Sequence, residues 1–153
     1  MPYKKIIKNI PFQAEEIYKI ILDVEKYHEF LPYCKTVNVD YRLQNEIIAT
    51  MHLEIPTLLK KIKIQYQSQI KADPFDYNIL IHSTQKDKFF NFMKSNWQIK
   101  PCITGCIINY EISFELQNPL LNITLASLFL SHSQTIVEAF IARANNILKP
   151  III

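Results

Sequence analysis

The clearest pattern in this chain of 153 residues is the alternation in Cys106-Ile107-Ile108-Asn109-Tyr110-Glu111-Ile112-Ser113-Phe114-Glu115-Leu116. From Cys106 onward every second residue is apolar, and most of the residues between them are polar. Successive side chains of a β-strand point to opposite faces of the sheet. The period of two therefore predicts a strand that is buried on one face and hydrated on the other, as in an antiparallel sheet with one wet face.

Shorter copies of the pattern predict further strands, about six or seven in all. One of them begins with Phe75 and Tyr77, which alternate with Asp76 and Asn78. Turn signals that contain Asn, Pro or Gly separate the runs. The other predicted strands lie near 3–9, 37–41, 47–55, 62–70 and 97–99, and the turns lie at Gln44-Asn45, Asp73-Pro74 and Thr104-Gly105.

One helix is predicted near the beginning of the chain and a second after the last strand. The first follows the helical spacing of Ala14, Ile17, Ile21 and Val24, and the second runs from Pro119 to about Leu148. The second half of the long helix is amphipathic, but its first half is apolar almost all round. One face of that half can pack on the sheet. The other face must be covered by a loop or a second copy of the chain, or must line a ligand channel, and the sequence leaves these alternatives open.

This order of elements predicts a single α+β domain over 1–153, with a curved antiparallel sheet wrapped around the long C-terminal helix. One or two short helices follow the first strand. A wrapped sheet leaves a concave face, and an apolar cavity there is the default ligand site. Residues 149–153 are expected to form a flexible tail.

Composition narrows the possible functions. Hydrophobic residues make up 49% of the chain, and the net charge is +3, which is too mild to indicate DNA binding. Lysines at 4–8, 60–63 and 86–94 form either a solvated surface or a patch for an anionic membrane. Three cysteines and no visible signal peptide predict reduced thiols in the cytoplasm. No metal-ligand spacing is present, so no metal site is predicted.

The segment with the most specific signature is Asp23-Val24-Glu25-Lys26-Tyr27-His28-Glu29-Phe30-Leu31-Pro32-Tyr33-Cys34. It resembles the coenzyme Q-binding branch of the START-like (polyketide cyclase/dehydrase and lipid transport) superfamily, whose members carry D-V-x-x-Y-P-x-F-L-P-x-C. Trp97 with Ile99, and the stretch 136–144, resemble two further motifs of that branch in the same order. His28 replaces the usual proline. Lys88, Phe89 and Ser95 stand where Gly, Pro and Gly are common, which puts the size of the ligand in question.

The resemblance implies a helix-grip fold that binds ubiquinone or a similar isoprenoid lipid, requires no cofactor, and assists respiratory electron transport as a carrier or chaperone. It also implies a bacterial protein of the cytoplasm with peripheral contact at the inner membrane. The same branch includes a ribosome-association toxin that blocks subunit joining, so a ribosome contact is the alternative. A cyclase-like enzyme is the second alternative. The oligomeric state is left open.

A set of apolar and aromatic residues is predicted to bind the ligand. Trp97 offers a flat surface and one indole donor for a quinone ring. Phe30, Leu31 and Tyr33 stand at a helix-to-strand junction that guards one end of the cavity. For each residue, plain core packing is the alternative. The remaining predicted ligand-binding residues are Ile55, Phe92, Leu121, Leu125, Leu128, Phe129, Val137 and Phe140.

No catalytic residue is predicted. His52 and His82, with Glu54, Glu111 and Glu115, fall on the polar phase of their strands and are expected to face solvent. Cys34 and Cys106 are expected to face inward, where a thiol among apolar neighbours is inert. The chain is therefore predicted to be a binding protein. Polar side chains that face into the cavity would favour the cyclase alternative.

Overall fold

The computed structural model describes residues 2–152, except for the side chain of Thr124, so Ile153 of the predicted tail lies outside the described residues. Seven strands form one antiparallel sheet in the order β1-β7-β6-β5-β4-β3-β2. The strands are β1 (Tyr3–Ile10), β2 (Cys34–Leu43), β3 (Glu46–Pro56), β4 (Lys61–Asp73), β5 (Asn78–Ser83), β6 (Phe90–Cys102) and β7 (Gly105–Leu116). The helices are α1 (Ala14–Leu22), a 3₁₀-helix (Val24–Glu29) and α2 (Pro119–Ile147).

The α+β fold predicted from the alternation is confirmed, including the long C-terminal helix and the short helices after β1. The start of one strand was predicted wrongly. Phe75 and Tyr77 lie in a turn, because the carboxylate of Asp73 accepts hydrogen bonds from the backbone N–H groups of Phe75 (3.0 Å) and Asp76 (3.3 Å). Tyr77 has a positive φ of 50°, and β5 begins only at Asn78.

The one glycine of the chain begins β7 in a conformation that other residues rarely adopt. Gly105 has a φ of 144°, and a Cβ atom there would lie 2.2 Å from the carbonyl oxygen of Ile10. The β6–β7 hairpin consequently packs its backbone against the end of β1. The turn predicted at Thr104-Gly105 thus lies beside the end of β1, which is an edge strand of the sheet.

Helix α2 packs closely against only one side of the sheet. Its backbone approaches β1, β7 and α1, and the side chains of Val137, Phe140 and Ala144 on its inner face are buried. Toward β2, β3 and β4 the sheet curls away. There Ala49 pairs directly with Ser68, which places two small inward side chains next to each other. This side of the interface is hollow.

The segment Leu125–Ile147 of α2 is long and apolar enough to cross a membrane by length and composition. Its inner face is buried against the sheet and α1, as the core helix of a domain requires. We therefore describe α2 as a core helix.

Candidate ligand-binding cavity

A cavity of about 110 Å³ lies between the inner face of the sheet and the middle of α2. Its lining is mostly apolar, with a few hydroxyl groups and one imidazole. The residues that line it are Val24, Tyr27, Leu31, Pro32, Cys34, Val37, Ala49, Met51, Leu53, Tyr66, Ser68, Ile70, Ile81, Phe90, Met93, Ser95, Trp97, Tyr110, Ile112, Phe129, His132, Ser133, Ile136 and Phe140.

The inner wall of the cavity is aromatic. The ring of Trp97 lies 4.4 Å from that of Tyr110 and 5.1 Å from that of Phe140, measured between ring centroids. Tyr27 donates its hydroxyl to the carbonyl oxygen of Ile21, and Tyr66 donates to the sulfur of Met51 at 2.9 Å. Burial raises the pKa of all three tyrosines above the ordinary value. Their hydroxyls are therefore neutral hydrogen-bonding groups.

The rings of Tyr33 and His132 lie side by side at one end of the cavity, where His132 belongs to the lining. Their ring centroids are 5.3 Å apart, and Tyr33 is 41% exposed whereas His132 is 9% exposed. Tyr33 has a left-handed φ of 67°, and its carbonyl oxygen accepts a hydrogen bond from the N–H of Glu54 at 2.9 Å. Backbone strain in a bulky residue is typical of functional positions. We refer to Pro32, Tyr33 and His132 as the mouth.

His132 is the most polar side chain that faces the cavity. Burial lowers the pKa of its imidazole, so the ring is neutral at physiological pH. Within the described residues, the ring nitrogens make no hydrogen bond to protein, while the neighbouring Ser133 hydroxyl donates to the carbonyl oxygen of Phe129 at 2.8 Å. A neutral imidazole offers one donor and one acceptor. His132 can therefore bind a polar group of a ligand that occupies the cavity.

The lining lacks the groups that acid–base or nucleophilic catalysis combines. No carboxylate is among the described residues of the lining, so His132 has no acidic partner there. Burial raises the pKa of the Cys34 thiol to about 11, which keeps it protonated and inert. Across residues 2–152, no three His, Cys, Asp or Glu side chains assemble into a metal-binding group. The arrangement is suited to holding a molecule with an apolar body and one or two polar atoms.

Comparison with known proteins identifies the family. The family described as "Polyketide cyclase / dehydrase and lipid transport" matches residues 10–141, which include most of the sheet, the cavity and most of α2. The chain belongs to this family. Solved structures share the fold: the protein TTHA0849 of Thermus thermophilus has a TM-score of 0.80 at 15% identity, covering 95% of this chain and 98% of that one. An aromatase/cyclase of Streptomyces has a TM-score of 0.76 at 11% identity, covering 94% and 93%.

Relatives with names in this family fall into two kinds. The "Ribosome association toxin RatA" of Rickettsia prowazekii is 25% identical over 93% of this chain and 95% of its own length. The "Coenzyme Q-binding protein COQ10, mitochondrial" of Drosophila melanogaster is 27% identical over 78% of this chain, which spans only 48% of that relative. The family is thus established, but these identities do not decide whether the chain is more similar to the coenzyme Q-binding proteins or to the toxins.

The structure brings four of the twelve predicted site residues into the cavity lining: Leu31, Trp97, Phe129 and Phe140. Two others lie beside it. Phe30 packs edge-on against Tyr27 and Phe140, beneath the guanidinium of Arg143. Tyr33 covers His132 from outside.

The other six predicted residues do not line the cavity. Ile55 and Val137 are buried in the core. Leu121 and Leu125 pack with Phe90 and Phe114 in a second apolar cluster that fills the space under the first half of α2. Leu128 is exposed at the edge of this helix and Phe92 is exposed on β6. The cavity therefore lies under the middle of α2 and reaches the segment 121–129 only at Phe129, while Leu121 and Leu125 pack in the second cluster.

Several lining residues were not predicted as site residues. Ser68 and Ser95 occupy the inward phase of β4 and β6, where a polar residue interrupts an apolar run. That interruption was the available signal. His132 gave no signal, because a lone histidine in the middle of a helix has no motif around it.

Proposed function

We propose that this protein binds an isoprenoid quinone, or a lipid of similar shape, with the ring inside the cavity and the tail leaving through the mouth. The observation that carries the proposal is an apolar cavity whose only buried imidazole, among the described lining residues, makes no hydrogen bond to protein. A carbonyl oxygen on a bound ring would give His132 a partner that an aliphatic chain would not.

The size of the cavity supports a ring-first orientation. An engineered apolar cavity of about 150 Å³ holds benzene, and the cavity here has about 110 Å³. It is too small for a polyisoprenoid tail, and a substituted quinone ring, which is larger than benzene, enters it only if lining side chains move apart. Burial of apolar surface stabilises the complex by about 25 cal/mol per Å². The tail contributes this stabilisation only if it lies on another apolar surface outside the mouth.

The names of relatives support lipid binding without deciding its biological use. The COQ10 proteins of Drosophila melanogaster and Xenopus laevis are named for coenzyme Q binding, and the family name includes lipid transport. We propose a carrier or chaperone role for the quinone in respiratory electron transport, and no enzymatic step. The inward hydroxyls of Ser68 and Ser95 would orient a ring, but without a paired base they do not support the cyclase alternative.

Fluorescence of the single tryptophan tests the proposal directly. Trp97 forms part of the cavity wall, so a bound quinone should quench it. We expect saturable quenching by a soluble short-chain ubiquinone. Ala49→Leu places a larger side chain in the cavity and should weaken binding roughly tenfold or more, a loss of at least about 1.4 kcal/mol.

Ala142→Leu provides the matched control, because Ala142 is exposed on α2 and does not line the cavity. This variant should bind like the wild type, and free N-acetyltryptophanamide corrects for collisional quenching. Non-saturable quenching, or equal affinity in the Ala49→Leu variant, would reject binding of the ring in this cavity.

A ribosome-associated role is the second candidate. The RatA relative of Rickettsia prowazekii matches along almost its whole length, and the lysine clusters could contact RNA phosphates. This role predicts co-sedimentation with ribosomal subunits that weakens steeply with salt. Binding unaffected by Ala49→Leu would show that any such role is independent of the cavity.

A further inference from the structure

The tip of the β3–β4 hairpin presents two leucines to solvent. Leu58 is 105% exposed and Leu59 is 97% exposed. The turn is held in place, because the N–H of Thr57 donates to the carbonyl oxygen of Lys60 at 3.0 Å and the N–H of Lys60 donates to the Thr57 hydroxyl oxygen at 3.1 Å. A closed turn projects both side chains outward, where nothing in the described chain covers them.

The same hairpin is positively charged. Lys60, Lys61 and Lys63 follow the leucines and are exposed. Glu54 partly offsets this charge, since its carboxylate lies 3.9 Å from the ammonium of Lys61. Lys60 and Lys63 form no salt bridge within the described residues. The charge of the hairpin is thus complementary to an anionic surface.

Further lysines lie at this end of the sheet. Lys86 and Lys88 are exposed in the β5–β6 loop. Because β5 is antiparallel to β4, this loop follows β5 at the end of the sheet where β4 begins. The acidic residue between them does not offset them at the surface, because Asp87 is buried and accepts hydrogen bonds from the N–H groups of Gln67 and Phe90.

The hairpin and the mouth are at the same end of the molecule. The hydrogen bond from Glu54 to Tyr33 ties the mouth to β3 only two residues before the strand ends at Pro56. Helix α2 begins at this end and exposes Ile123, which is 81% exposed, and Leu128 on its outer side. Exposed apolar side chains therefore lie at the end of the molecule from which a lipid tail would leave the cavity.

We propose that this end of the protein docks on an anionic lipid bilayer, with Leu58 and Leu59 inserted at the interface and the lysines against the lipid head groups. Exposed leucines beside lysines are the combination that binds such a surface, where apolar side chains are buried and each nearby lysine adds electrostatic attraction. RNA offers phosphates to the lysines but no apolar layer to a pair of aliphatic side chains. The bilayer explains both features.

This inference deepens the proposed function, because it orients the mouth toward the membrane in which an isoprenoid lipid is dissolved. Docking itself does not require a quinone in the cavity. Vesicle binding and quenching of Trp97 are consequently measured separately, so that either proposal can fail alone.

Co-sedimentation with vesicles tests the docking surface. Wild-type protein should bind vesicles of phosphatidylglycerol mixed with phosphatidylcholine, and should bind pure phosphatidylcholine vesicles much more weakly. The double variant Leu58→Ser/Leu59→Ser should lose roughly tenfold or more in partitioning to the mixed vesicles. Quenching of Trp97 by soluble short-chain ubiquinone should be unchanged in this variant.

Phe75→Ser/Ile103→Ser is the matched control. Both residues are exposed apolar side chains in turns at the opposite end of the sheet. This variant should bind vesicles like the wild type. Equal loss in both double variants, or no loss in the leucine variant, would overturn the proposal.

Charge variants separate a bilayer from RNA. Lys60→Gln/Lys63→Gln should reduce binding to the mixed vesicles and make the remainder less sensitive to salt. If the lysine variant loses co-sedimentation with ribosomes while the leucine variant keeps it, and neither changes vesicle binding, the surface is an RNA contact and the docking proposal is wrong.

Discussion

The two sides of the interface between α2 and the sheet differ in how they are filled. On the β1–β7 side the side chains are almost fully buried. Ile108 of the sheet shares one apolar cluster with Val137 and Ala144 of the helix, and Phe114 lies in the second cluster. On the β2–β4 side the sheet carries the same period-two pattern, but a cavity remains between the sheet and the helix. Alternation therefore determines which face of a strand is buried, whereas side-chain volume determines whether the buried space is filled.

Small inward residues account for the hollow. Ala49 and Ser68 are direct partners across β3 and β4, and Ser95 occupies the inward phase of β6. Larger residues at these positions would fill the space that the neighbouring Trp97 and Tyr110 leave open. Interiors are otherwise packed at the density of organic crystals, and this gap is the space in which we propose that the ligand binds.

Matched truncations should give the largest loss of stability, and the filled side should lose more than the cavity wall. Ile108→Ala removes a fully buried side chain from the filled side and should lower the free energy of unfolding by about 2–5 kcal/mol. Ile81→Ala removes the same atoms from the cavity wall, where fewer neighbours lose contacts, and should cost at least about 1 kcal/mol less. Urea denaturation of both variants measures this, and equal losses would mean that the cavity collapses in solution.

Matched enlargements should give a smaller loss of stability, again on the filled side. Ala144→Leu adds volume where Ala144 is 0% exposed against the filled side, and should lower the free energy of unfolding by about 1–3 kcal/mol. Ala49→Leu adds the same volume to the hollow and should be neutral or stabilising by about 1 kcal/mol, because it buries apolar surface in existing space. A comparable loss in both would indicate that the hollow is too small to accept one additional side chain.

The fold was predictable because its signal is local. The alternation within each strand indicates which of its faces is buried, and the turn at Thr104-Gly105 contains the only glycine. The exception was the strand predicted from Phe75, where the side chain of Asp73 captures two backbone N–H groups and continues the turn. Local hydrogen bonds of this kind compete with strand formation without altering the apolar pattern.

The site was predictable only in part because it depends on pairing between strands. That Ala49 lies opposite Ser68 follows from the register of β3 and β4, which hydrophobic periodicity alone does not specify to the residue. The first half of α2 shows the same limit. Its all-round apolar surface left a loop, a second copy or a ligand channel as alternatives, and in the structure Leu125 packs with Phe90 and Phe114 while Ile123 faces solvent.

The smallest expected effect is a dependence of the free energy of unfolding on pH, caused by His132 at the mouth. Burial lowers the pKa of His132 below its unfolded value of 6.5, so the unfolded chain binds a proton more readily than the folded one. The stabilisation from keeping this imidazole neutral is fully present above pH 6.5 and is lost as the pH falls toward the folded pKa. The free energy of unfolding should therefore decrease below about pH 6.5 in the wild type and decrease less in His132→Gln.

His28→Gln is the matched substitution for comparison, because it removes an exposed histidine from the 3₁₀-helix. A bound quinone would sharpen the effect, because a ligand that hydrogen-bonds the neutral imidazole is released on protonation and its contribution to stability falls with it. If His132→Gln and the wild type lose stability in parallel, His132 is hydrated in both states. The cavity would then be open to water where the ring is proposed to bind, and the contrast with the filled side would reduce to a difference in solvent access.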